Sequence, residues 1–62
     1  MKKVLLISGP NGYEKYPMTP KGLAQADAIM KHFVKTGEMF YVRIVTQDEL
    51  EQKGIRSFFE AQ

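Results

Sequence analysis

An α/β fold is what this sequence predicts: a small β-α-β-α unit with two parallel strands, completed by oligomerisation. Three observations carry it. A continuous apolar run, Val4-Leu5-Leu6-Ile7, stands near the start; an amphipathic helical pattern follows Pro20; and a β-branched, aromatic run from Phe40 to Thr46 comes after it.

The first run is bounded by lysines and by Ser8-Gly9-Pro10. It suits a strand covered on both faces, as in a parallel sheet. Ser8 to Pro17 carries Gly9, Gly12, Pro10, Pro17 and Asn11, the composition of a loop. Thr19 then supplies an N-cap and Pro20 the first helical position, where a missing N–H costs nothing. Met18 and Leu23 take the two positions of a hydrophobic staple. Leu23, Ala26, Met30 and Phe33 recur at helical spacing, with Ile29 and Val34 widening the stripe. Lys31 and Lys35 complement the dipole of the last turns, and Gly37 offers the stop.

In the second strand, Phe40, Val42 and Ile44 point one way and Tyr41, Arg43 and Val45 the other. Arg43 marks its face as the less buried one, or the strand as an edge. Two strands around a helix predict a right-handed parallel crossover. Thr46-Gln47-Asp48-Glu49 reads as a capping box, with Glu49 reaching back to the Thr46 N–H, and Val45 and Leu50 repeat the staple. Gly54 weakens the helix that follows by about 1 kcal/mol relative to alanine. Ile55, Phe58 and Phe59 continue an apolar helical face or form a short third strand; helix is the favoured reading.

The chain has 62 residues, read as a single domain over 1–62. A domain of this size buries only about 60% of its unfolded surface, so its core needs reinforcement. There is no cysteine, which excludes disulfides and thiolate metal sites. His32 is the only histidine, too few for a zinc site built from nitrogen and sulfur. No metal and no cofactor are expected, and packing with self-association remains. The 44% hydrophobic content argues against disorder. Nine basic residues are scattered among seven acids for a net charge of +2, whereas a nucleic-acid binder gathers its cations in a stripe. The apolar run at the start is too short for a signal peptide and nothing approaches a membrane span. A cytoplasmic protein without a membrane partner is expected.

Two stretches resemble known motifs. Gly9-Pro10-Asn11-Gly12-Tyr13-Glu14-Lys15-Tyr16 is similar to the phosphate-binding loop of nucleotide hydrolases at Gly9 and Lys15. However, Glu14 stands where that motif has its second glycine and Tyr16 where it has the magnesium-holding hydroxyl. From Val4 to about Leu50 the chain resembles the opening of the histidine phosphatase (phosphoglycerate-mutase-like) superfamily. The match lies in Met18-Thr19-Pro20-Lys21-Gly22-Leu23-Ala24-Gln25-Ala26, at Thr19, Gly22, Gln25 and Ala26. The resemblance implies a strand, loop, helix and second strand, with Thr46 at a strand end near the site. Ser8-Gly9-Pro10 stands where that family has its catalytic Arg-His-Gly, so no catalytic residue is carried over and no enzyme is expected. In size and style the chain also resembles accessory proteins of phages and mobile elements, which act by binding a host protein.

In a parallel sheet, ligands gather beyond the carboxyl ends of the strands. That places Ser8 and Thr46 side by side and makes Ser8, Asn11, Gly12, Lys15 and Thr46 the candidate set for a phosphorylated or anionic small molecule. Tyr13, Tyr16, Tyr41, Arg43, Phe58 and Phe59 form a candidate interface set, since tyrosine and arginine are enriched at binding hot spots. Phe58 and Phe59 are adjacent, so one of them is expected to meet a partner chain. Two strands leave two open edges and too little apolar cover. A homodimer with four shared strands, or a higher homo-oligomer, is therefore expected, in a protein-binding or regulatory role with a protein partner. Small-molecule binding and weak nucleic-acid binding are the alternative functions.

Overall fold

The computed structural model describes residues 2–60. Its elements are β1 (Lys3–Gly9), β2 (Gly12–Pro17), α1 (Pro20–Thr36), β3 (Tyr41–Thr46), α2 (Gln47–Lys53) and α3 (Ser57–Glu60). The sheet has three strands in the order β2-β1-β3. Both neighbours of β1 run antiparallel to it, pairing Leu6 with Lys15 on one side and with Arg43 on the other. This corrects the expected pair of adjacent parallel strands. The expected loop contains a strand, and its hairpin reverses the chain before the helix begins. The helix does join two parallel strands, β2 and β3, but β1 lies between them.

The hairpin follows from local chemistry. Pro10 and Asn11 form the turn between the paired Gly9 and Gly12. Proline is favoured at the first corner of a type I turn and glycine at its fourth position. Gly12 has φ 116°, and among the described residues none other than glycine has a positive φ.

β1 is buried on both faces, as its apolar run predicts, with Val4, Leu5, Leu6 and Ile7 all in the core. On one face Leu5 and Ile7 meet Ala26 and Phe33 of α1, with Tyr16, Ile29, Met30 and Phe40 packed around them. On the other, Val4 and Leu6 meet Val45, Leu50 and Phe58, bordered by Ile55 and Phe59. The two clusters share β1 as their common wall.

α1 begins where the caps place it. The Thr19 hydroxyl accepts from the Gly22 N–H at 3.1 Å, and Pro20 is the first helical residue. Gly37 ends the helix at φ 76°, and the Glu38 N–H donates to the Phe33 carbonyl at 3.0 Å, closing the carbonyls of the last turn. The buried face keeps Ala26, Ile29, Met30 and Phe33 of the expected stripe but not Leu23 or Val34. Gly22, Ala26 and Phe33 face the sheet, while Leu23 is 41% and Val34 71% exposed. The reason is close approach. A Cβ on Gly22 would lie 2.3 Å from the Pro17 carbonyl oxygen, and one on Gly9 would lie 2.8 Å from the Phe33 ring. Two glycines thus bring α1 down onto β1 and β2, rotated toward its smallest side chains.

The second cap also forms. The Thr46 hydroxyl accepts from the Glu49 N–H at 3.2 Å and donates to the Glu49 carboxylate at 3.0 Å. Glu49 therefore reaches the Thr46 side chain, where the sequence predicts the Thr46 N–H. Val45 and Leu50 share a core cluster, so the second staple holds. Gly54, at φ 81°, stops α2. The chain turns through Ile55 and Arg56 before α3, whose first residue, Ser57, donates its hydroxyl to the Gly54 carbonyl at 2.9 Å. The expected helical continuation is present as a separate short helix, and Ala61 lies outside the described residues.

Candidate functional site

The antiparallel register separates the residues expected at a strand-end site. Ser8 pairs with Tyr13 and Tyr41 at one end of β1, whereas Thr46 pairs with Lys3 at the other. They do not lie side by side. Thr46 serves as the cap of α2. Asn11 and Gly12 stay near Ser8, at the hairpin, where they line a water-sized cavity of about 30 Å³ together with Ile7, Gly9, Glu14, Ile29 and Phe33. Its only ionisable lining residue is an acid, which disfavours an anion there.

Lys15 lies in the middle of β2, opposite Leu6. With Tyr13, Leu50 and Ile55 it lines an open groove of about 360 Å³ between β2 and the α2–α3 segment. Tyr13 stacks on Phe59 at 5.7 Å between ring centroids. Of the two adjacent phenylalanines, Phe58 is buried at 6% exposure and Phe59 packs against the same cluster. Both therefore turn inward, against the expectation that one meets a partner. The break at Gly54 allows this, because a four-residue helix after a turn is not bound to the face of α2.

Phe58 is held from two sides. The Arg43 guanidinium lies 5.6 Å from its ring centroid and the Lys53 ammonium 6.0 Å. Arg43 Nη1–H also donates to the Phe58 carbonyl at 3.2 Å. Arg43 thus fastens α3 to β3, and its charge is drawn over the Phe58 ring.

On the opposite face, the Tyr16 hydroxyl donates to the Glu14 carboxylate. That hydrogen bond, then burial, then the Glu14 charge push the Tyr16 hydroxyl from 10.0 up to about 12. Each cause favours the neutral phenol. Replacing Glu14 with glutamine removes the charge and weakens the bond, so Tyr16 should ionise at a lower pH, nearer 10.0. Titration of ring-labelled tyrosine by NMR measures this. An unmoved Tyr16 curve in the variant would show that the pair is absent in solution.

β3 is an edge strand, which its lone arginine foreshadows. The two faces are reversed from expectation. Val45, on the Arg43 face, is buried, while Val42 and Ile44, on the α1 face, are 43% and 53% exposed. Nothing local in the sequence marks them as surface residues. They are uncovered because α1 is drawn over β1 and β2 by the glycine contacts described above. Tyr41 is 56% exposed at the start of the same strand. Val42 and Ile44 are thus exposed on the α1 face of the strand and Tyr41 on its other face, and Met39, 76% exposed, precedes them in the chain.

Among the described residues there is no cluster of histidine, cysteine and acidic side chains that could hold a metal ion. No described helix is long and apolar enough to cross a membrane. Comparison with known proteins gives no match to a protein-family model, to a curated protein or to a solved structure.

Proposed function

We propose that the chain is a non-enzymatic protein-contact module that acts as a homo-oligomer. The observation that carries this reading is the β3 edge. Its Tyr41, Val42 and Ile44 are exposed beside an unpaired strand edge. Large apolar side chains next to free backbone donors and acceptors are the usual ingredients of strand-mediated association. The small core supports the same reading, since a domain of 62 residues is marginal and association adds apolar cover.

Light scattering coupled to size exclusion tests it. At tens of micromolar the mass should be at least twice the 7.1 kDa of one chain, and dilution should lower it. A one-chain mass across that range would overturn the reading.

A further inference from the structure

The sheet has two open edges, and they differ in chemistry. β2 reads Gly-Tyr-Glu-Lys-Tyr-Pro. It carries adjacent exposed charges at Glu14 and Lys15 and ends in proline, the devices by which natural sheets discourage edge pairing. β3 reads Tyr-Val-Arg-Ile-Val-Thr, with no proline. Its single charge, Arg43, is folded onto Phe58 and the Phe58 carbonyl. One edge is protected and the other is open.

The hydrogen-bond phase of β3 shows what the open edge presents. The Gln47 N–H donates to the Lys2 carbonyl at 2.8 Å, which carries the β1–β3 ladder one step past the Lys3–Thr46 pair. Antiparallel ladders alternate, so Val45, Arg43 and Tyr41 bond toward β1, and the N–H and C=O groups of Val42 and Ile44 point away from it. Val42 and Ile44 thus combine exposed apolar side chains with free backbone groups.

We infer that the occupant of this edge is the β3 strand of a second copy, paired antiparallel about a two-fold axis that passes beside Val42. The inference rests on the homo-oligomer reading above and specifies its surface. Centring the axis on Arg43 would set two guanidinium groups directly opposite, which is destabilising. Centring it on Ile44 would set Tyr41 against Gln47, where the chain has already left the strand for α2. Centring it on Val42 sets Val42 against Val42, Ile44 against Phe40, and each Tyr41 against the other chain's Arg43. The last pairing gives the exposed face of each guanidinium an aromatic partner, twice per dimer. The contact is isologous, so it closes after two copies, whereas β3 on β2 would propagate. The result is a six-stranded sheet, β2-β1-β3-β3-β1-β2, with only protected edges outward. It replaces the four-stranded dimer expected from the sequence.

The absence of native cysteine makes the test direct. Single variants Val42→Cys, Ile44→Cys and Lys15→Cys are oxidised mildly and resolved on a non-reducing gel. Val42→Cys should convert mostly to covalent dimer, because residues facing across a hydrogen-bonded antiparallel pair have Cα atoms about 5.5 Å apart, within disulfide reach. Lys15→Cys should remain single. Preferential crosslinking through Ile44→Cys would overturn the register. Preferential crosslinking through Lys15→Cys would overturn the edge, while a dimeric mass of the unmodified chain would leave the homo-oligomer reading standing. Tyr41→Ala gives an independent check in which the strand itself is undisturbed. It should shift the dimer toward single chains at a fixed concentration with unchanged far-UV dichroism, and an unshifted equilibrium would remove the Tyr41–Arg43 pairing.

Discussion

Replacing Leu6 with alanine should lower the thermal midpoint by about 10 °C or more. Leu6 is fully buried at 0% exposure. It sits on the central strand between Lys15 and Arg43, with Val4, Val45, Leu50 and Phe58 in its cluster. Leucine-to-alanine changes at such sites cost about 2–5 kcal/mol, because the lost transfer energy is compounded by a cavity that cannot fully collapse. Collapse is hard here, since β1 is fixed from both sides by its neighbours. A domain of this length has a total stability of about 3–9 kcal/mol, and each 1 kcal/mol moves the midpoint by about 4–8 °C. The single change therefore removes a large fraction of what holds the chain together. Val34→Ala is the matched control, since Val34 is 71% exposed, and it should stay within about 0.5 kcal/mol of the parent. Thermal melts of the three proteins, followed by far-UV dichroism at equal concentration, separate the effects. Equal shifts for the two variants would mean that β1 is not the centre of the fold.

The parts legible in the sequence are those decided by residues within one turn or one strand. Thr19 with Pro20, Thr46 with Glu49, and Gly37 and Gly54 as stops describe backbone groups that must be satisfied locally. The buried Val4–Ile7 run is legible for the same reason, because a strand without polar alternation needs cover on both faces. The strand order is a different kind of information. Pro10-Asn11-Gly12 could close a hairpin or begin a long loop, and only pairing of Gly12 to Pro17 along β1 decides between them. The signal available was the turn chemistry of Pro, Asn and Gly in succession, outweighed by the glycine and proline content around it. Without the β2 reversal, β3 reads as parallel to its neighbour β1 when it runs antiparallel, and a parallel direction would bring Ser8 and Thr46 to the same end. The candidate ligand set depended on that direction. The interface residues fared unevenly for a related reason. Tyr41 is exposed because it begins an edge strand, while Phe58 is buried because a break at Gly54 re-aims it. Both outcomes depend on contacts between segments far apart in the chain.

Gly22 supplies a prediction in which two known effects oppose each other. It stands in the first turn of α1, and on helix propensity alone Gly22→Ala should stabilise the protein by up to about 1 kcal/mol. The packing argues the reverse. The new Cβ would lie 2.3 Å from the Pro17 carbonyl oxygen and 2.7 Å from the Pro17 side chain. Neither atom can swing aside as the tip of a long side chain does, because one is backbone and the other a proline ring. Relief requires α1 to move off β2, which would loosen Ala26 and Phe33, both buried against Leu5 and Ile7. Overpacking of this kind costs about 1–3 kcal/mol, so the net change should be destabilising, by up to about 2 kcal/mol once the propensity gain is offset. Ala24→Gly, at an exposed position of the same helix, calibrates the propensity term and should cost about 1 kcal/mol. Both variants should therefore be less stable than the parent, although they change glycine and alanine in opposite directions. Chemical denaturation midpoints measure this. A stabilised Gly22→Ala would mean that the helix does not approach β2 so closely, and with it would go the reason for α1 lying over β1 and β2. Val42 and Ile44 would then have no structural cause for their exposure, and the open β3 face would lose its explanation.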